Sequence, residues 1–134
     1  MIMSDLQGQI WMDGSFCDWK KAKIHILTHT MHYGTGVFEG VRAYETEIGP
    51  AIFRLEDHTD RLFESANLVG MNIPFTKDQL MQAQCDSVIK NNLNKKIYYL
   101  MVSWFILTHI HGDLRLHLFI ERLLNGLFQW KVIS

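Results

Sequence analysis

The chain has 134 residues, 48% of them hydrophobic, and a formal net charge of -1. That length holds one domain with a real core, and the near-neutral balance excludes an electrostatic nucleic-acid surface. The longest apolar stretch, Tyr98 to Leu107, contains Ser103 and is too short to span a membrane.

The N-terminus Met1-Ile2-Met3-Ser4-Asp5 has no basic region followed by a long apolar run, so no ordinary signal peptide is read and a cytoplasmic setting is expected. Residues 9–12 and 15–17 flank Asp13-Gly14, a dipeptide that takes the positive φ angles of a tight turn, which predicts an opening β-hairpin. Residues 37–45 are rich in β-branched and aromatic side chains. Gly49-Pro50 separates them from residues 51–54, giving a second antiparallel pair.

Helices follow. Leu55, Leu62, Ala66 and Val69 recur at roughly helical spacing, with Glu56 and Asp57 in the first turn and Gly70 as a stop. Thr76 and Gln79 form a capping-box pattern ahead of a second helix reaching about Asn91. Residues 96–107 read as a further strand, which makes the fold α+β: an antiparallel sheet covered by two helices. Leu114, Leu116, Leu118, Phe119, Leu123, Leu124, Leu127 and Phe128 are too dense for a solvated coil, and Asp113 is placed to cap a helix running toward Gln129.

The richest segment is Thr30 to Arg42, T-M-H-Y-G-T-G-V-F-E-G-V-R. Gly34, Gly36 and Gly40 let backbone approach a ligand or take positive φ. Tyr33 and Phe38 offer flat apolar surface, and Arg42 offers a planar fork for a carboxylate or phosphate. From the residues alone two readings stand: a site wall, or a glycine-broken strand with core aromatics. Arg61 likewise reads either as an anion ligand or as the exposed i,i+4 partner of Asp57. Cys17 and Cys85 lie far apart without C-x-x-C spacing, and His25, His29, His32, His109, His111 and His117 lack a fixed carboxylate or thiolate cluster, so no metal site is expected.

The wording H-Y-G-x-x-V-F-E-G-[IV]-R resembles the entrance motif of branched-chain amino-acid aminotransferases, fold-type-IV enzymes that use pyridoxal phosphate. Ile10-Trp11-Met12-Asp13-Gly14 is similar to the family's opening strand and turn, and Trp19 to His25 to its W-x-[DE]-A-x-[VI]-H stretch. Gly49-Pro50-Ala51-Ile52-Phe53-Arg54, His58, Arg61-Leu62 and Ser65-Ala66 match G-P-x-[VI]-F-R-x-x-x-H-x-x-R-L-x-x-S-A in order. The likeness covers most of residues 1–100, read as the family's small N-terminal domain, with residues 101–134 read as a divergent tail, expected from a frameshift or fusion near Leu100.

The resemblance implies transamination of leucine, isoleucine or valine with 2-oxoglutarate, and hence partners that are a small-molecule amino acid and keto acid, with neither nucleic acid nor membrane involved. It implies that Arg61 binds the phosphate of pyridoxal phosphate. Tyr33, Phe38 and Gly40 line the pocket for a branched aliphatic side chain, and Arg42 serves the substrate carboxylate region or braces the loop. A homo-oligomer is also implied. The Schiff-base lysine of the family belongs to a larger following domain and has no counterpart here, so no catalytic residue is assigned and an inactive fragment is expected. Where the family shows Y-[IL]-R-P, this chain has Tyr99-Leu100-Met101-Val102, so Met101 replaces an arginine that contacts the substrate carboxylate. Alternatives are a non-catalytic remnant or association domain and, within the class, a relative of D-amino-acid aminotransferase or aminodeoxychorismate lyase.

Overall fold

The computed structural model describes residues 7–91, 98–106 and 114–121. In chain order it contains β1 (Gln9–Met12), β2 (Ser15–Asp18), a 3-10 turn over Trp19–Lys21, a short helix α1 (His29–Tyr33), β3 (Gly36–Thr46) and β4 (Gly49–Ile52). Two longer helices, α2 (Leu55–Leu68) and α3 (Lys77–Lys90), precede β5 (Tyr98–Ile106) and β6 (Leu114–Glu121). The strands form one antiparallel sheet in the order β2-β1-β6-β5-β3-β4. With α2 and α3 packed on it, this is the expected α+β layer. Among the described residues no helix is long and apolar enough to cross a membrane.

Local chemistry accounts for most boundaries. Asp13 and Gly14 both take positive φ, 51° and 87°, so the β1–β2 loop turns with the twist that antiparallel strands need. At the start of α3 the Thr76 hydroxyl accepts from the Gln79 amide, and the Gln79 side chain accepts from the Thr76 amide, which satisfies two of the amides that a helix start leaves open. Gly70, at φ 71°, follows the end of α2. Asn91 at the end of α3 reaches back to β1, accepting from the Gln9 amide at 2.8 Å and donating to the Gln9 carbonyl at 3.0 Å.

Two expectations are corrected. Gly49 and Pro50 do not separate the strands; the turn lies at Glu47 and Ile48, and Pro50 pairs with Glu45 inside β4. β4 is an edge strand, where a residue without an N–H fits a sheet. The helix expected from Asp113 is not present over residues 114–121, which form β6 between β1 and β5. Its sequence alternates Leu114, Leu116, Leu118 and Ile120 with Arg115, His117, Phe119 and Glu121, a strand period broken only at Phe119 and obscured by the density of leucines. The remainder of that expected helix, residues 122–129, lies outside the described residues. The sheet itself runs through the place where the recognisable wording ends, since β5 crosses Leu100.

The core fills the space between β3, β1 and the two helices. Val37, Val41 and Ala43 from β3, Trp11 from β1, Leu62 and Ala66 from α2, Met71 from the connection, and Leu80, Ala83 and Val88 from α3 form one buried cluster. The Trp11 ring meets Phe75 edge-on with centroids 5.0 Å apart. Leu80 has no exposed surface. Truncating a leucine so placed removes transfer free energy and leaves a cavity, so Leu80→Ala should destabilise the fold by about 2–5 kcal/mol. Urea unfolding followed by circular dichroism checks this, as a lowered midpoint with an unchanged slope.

Candidate functional site

Strand alternation divides the residues of interest between two faces. Along β3, Val37, Glu39, Val41 and Ala43 are buried under the helices, while Phe38, Gly40 and Arg42 are exposed on the opposite face. Phe38 keeps 68% of its surface exposed. A Cβ built on Gly40 meets no other atom within 4 Å, so within the described residues the absent side chain leaves open space rather than relieving a clash. Register places Met101 of β5 directly across from Gly40. The position where the resemblance calls for an arginine is therefore beside the exposed segment of β3, but it carries a thioether residue that cannot bind a carboxylate.

Tyr33 ends α1 and is 77% exposed, its ring stacked edge-on against His29 at 5.5 Å. Gly34 follows at φ 67° and closes the short helix through its amide to the Thr30 carbonyl at 3.1 Å. Of the three glycines in the motif, Gly34 alone takes positive φ; Gly36 and Gly40 are ordinary strand positions. Phe38, Gly40 and Arg42 thus come together on one strand face, and Tyr33 lies on the segment leading into that strand.

Arg61 is not among them. It projects from α2 to the helix-covered face and engages Glu39 through both Nε and Nη2, a side-on fork against the two carboxylate oxygens. The i,i+4 pairing with Asp57 does not form, because Asp57 is taken by Arg54 at 2.8 Å one turn earlier. Glu39 also accepts from its neighbour's amide, Gly40 N–H, at 2.9 Å and from His58 Nδ1 at 3.2 Å, so the imidazole carries its proton on Nδ1. His58 and Arg61 stand three residues apart on α2, one turn of the same helix face.

Glu39 is the charge at the centre of this group, its side chain only 4% exposed against 66% for Arg61. Burial alone would raise its carboxyl pKa, but the Arg61 fork, the Gly40 amide and His58 together hold it below the ordinary value of 4.5. Sequence reasoning assigns no role to Glu39 or His58. The available signal is parity: Glu39 shares the two-residue period of Val37, Val41 and Ala43, and a carboxylate at a core position requires partners.

The other candidates separate cleanly. His25 Nδ1 accepts from the Leu27 amide at 3.1 Å, and His32 Nε2 meets the Ile26 carbonyl at 2.9 Å, so one nitrogen of each ring is engaged by backbone. Among the described residues no three His, Cys, Asp or Glu side chains are grouped as metal ligands. His109 and His111, and the side chain of His117, lie outside the described residues. Cys17 and Cys85 are half-buried free thiols whose pKa values burial raises, with Asp18 and Asp86 adding to the effect, which disfavours the reactive thiolate.

A carboxyl whose folded pKa lies below its unfolded one gives stability that is complete above the unfolded value and disappears as pH falls through the folded one. Glu39 should therefore contribute fully at neutral pH, and its contribution should vanish on acidification below about 4.5. Thermal melts of the wild type and Glu39→Gln across acid pH check this: the wild type should be the more stable at neutrality, and the gap should close as Glu39 protonates.

Comparison with known proteins agrees with this architecture. The profile of the amino-transferase class IV family matches residues 36–132. The branched-chain-amino-acid aminotransferase of Pseudomonas aeruginosa is 55% identical over 93 residues, which cover 69% of this chain and 30% of that protein. Among solved structures, the Escherichia coli branched-chain amino acid aminotransferase superposes with a TM-score of 0.79 at 32% identity, covering 87% of this chain and 40% of that one. The Thermobaculum terrenum branched-chain amino acid aminotransferase, in its PLP form, gives a TM-score of 0.73 at 29% identity over 85% of this chain and 39% of that one. The chain thus spans well under half the length of the proteins it matches. By the extent of the family match and by the fold of its sheet and helices, the chain belongs to the amino-transferase class IV family.

Proposed function

We propose that this chain is the small domain of a pyridoxal-phosphate-dependent branched-chain amino-acid transaminase, acting on leucine, isoleucine or valine with 2-oxoglutarate. The observation that carries the reading is the exposed face of β3, where Phe38 supplies apolar surface, Gly40 leaves room and Arg42 brings a cation to one short stretch of backbone. A branched aliphatic substrate needs an apolar wall with few fixed polar groups. Relatives named as branched-chain aminotransferases support this branch over D-amino-acid aminotransferases or aminodeoxychorismate lyases. The solved relative in its PLP form supports the cofactor.

The chain's residues fit one end of that cofactor. Arg61 has spent its Nε and one Nη2 hydrogen on Glu39, and its side chain remains 66% exposed, so its outer donors are available to a phosphate. Pyridoxal phosphate, when bound, supplies the electron sink for amino-group transfer. Arg61, at the margin of the helix-covered face, would hold its phosphate. On the opposite face of β3, Phe38 and Gly40, with Tyr33 on the segment before it, would shape the side-chain pocket, and Arg42 would face the substrate carboxylate. No lysine among the described residues is offered as the attachment point: Lys77 is held by Asp60, and Lys90 lies over the Phe16 ring at 4.8 Å.

We read the chain as inactive by itself, with the rest of the catalytic machinery supplied by sequence that its longer relatives carry. The setting is cytoplasmic and the assembly a homo-oligomer on this reading. A second reading, a non-catalytic association domain, draws on the small share of the relatives' length that the chain covers.

Incubating the purified chain with leucine, 2-oxoglutarate and pyridoxal phosphate should give no glutamate above the buffer control. Turnover that disappears on mutating one of the chain's own lysines would overturn the assignment of the missing attachment point. In a longer form that binds the cofactor, Arg61→Ala should weaken pyridoxal phosphate by on the order of 1.5–3 kcal/mol per charge-assisted hydrogen bond lost. Cofactor titration by absorbance measures that change, and an unchanged affinity would remove Arg61 from the site.

A further inference from the structure

Glu39 and His58 have no part in the proposed transaminase site, yet they make the most connected polar group among the described residues. The Glu39 side chain is 4% exposed and its two oxygens are shared among donors from separate places: Arg61 and His58 on α2, and the Gly40 amide on β3. Arg61 is gripped by one edge, Nε and Nη2, on a carboxylate that the strand and His58 themselves hold in place. A guanidinium is planar, so fixing that edge fixes the direction of the other, where Nη1 and the second Nη2 hydrogen point away from Glu39. Arg54, at the N-cap of the same helix, provides a contrast: its pair with Asp57 is solvent-exposed on both sides, at 63% and 62%.

We propose that Glu39 is the positioning residue of a phosphate-monoester site at Arg61, holding the inner edge of the guanidinium on a buried carboxylate so that its outer edge presents two donors in a fixed direction. This rests on the reading of Arg61 as a phosphate ligand. Two effects of Glu39 oppose each other. Its negative charge weakens the attraction of Arg61 for an anion, and its grip removes the freedom that a long side chain otherwise loses on binding. The bidentate geometry and the support of the carboxylate by the Gly40 amide and His58 favour the second effect.

The two effects separate under substitution. Glu39→Gln keeps the reach and removes the charge, whereas Glu39→Asp keeps the charge and shortens the reach. If Glu39 positions Arg61, both variants should weaken phosphate binding, by about tenfold as for other groups that orient a ligand's contact residue. If Glu39 acts only as a charge, Glu39→Gln should tighten binding and Glu39→Asp should leave it unchanged.

The test uses the full chain labelled with 15N-arginine, titrated with inorganic phosphate and with pyridoxamine 5′-phosphate while the Arg61 Nε–H signal is followed, Arg61→Lys serving to assign it. Before ligand is added, the Arg61 Nε–H should exchange with water at least tenfold more slowly than that of Arg54, and equal rates would overturn the proposal without any variant having to fold. A phosphate-dependent shift in the wild type with unchanged or tighter affinity in Glu39→Gln would overturn the positioning role alone. No shift of Arg61 by either phosphate, with slow exchange intact, would overturn the phosphate reading and leave Glu39 a tie between strand and helix.

Discussion

A carboxylate on the core side of β3 constrains everything around it. Glu39 occupies a position where its neighbours on the same strand face are Val37 and Val41, and an unpaired charge there would cost several kcal/mol. The structure meets that cost with donors from α2, which ties the orientation of the helix to one residue of the strand. The apolar contacts of Leu62 and Ala66 hold the helix against the sheet by burial, which has little directional preference. A side-on guanidinium is directional. The ion pair adds a directional contact between α2 and β3, and it sets where Arg61 meets solvent.

The same alternation that buries Glu39 exposes Phe38, Gly40 and Arg42, so one strand serves two purposes through its two faces. The helix-covered face holds the domain together and carries a cation at its margin. The opposite face contributes little to the described core. Residues there are under no packing constraint from α2 and α3. Phe38, Gly40 and Arg42 stay exposed on β3 once the helices have docked.

Much of this is legible from the sequence wherever the cause is local. The Asp13-Gly14 turn and the Thr76–Gln79 cap depend on side chains within a few residues of each other, and both form at the expected positions. Expectation fails where the cause is distant. Residues 114–121 carry leucines dense enough for a buried helix, and their placement as a strand follows from pairing with β1 and β5, which local spacing does not report. The Glu39 group is partly legible: two-residue parity marks the carboxylate as buried, but nothing in the spacing says that His58 and Arg61 are the partners that reach it. Those contacts exist because α2 docks where it does.

The position of β6 bears on how the chain is made as well as on how it is held. β1 pairs with β2 at once across a two-residue turn, but its other edge pairs with β6, Trp11 opposite Leu118, across more than a hundred intervening residues. During synthesis the N-terminal hairpin therefore waits with one row of backbone donors and acceptors open until β6 arrives. Contacts this distant in sequence slow folding, and an open strand edge is a surface on which nascent chains can pair with each other. Expression slow enough to keep unfinished chains apart, or a chaperone that shields the hairpin meanwhile, would protect that edge until β6 pairs with it.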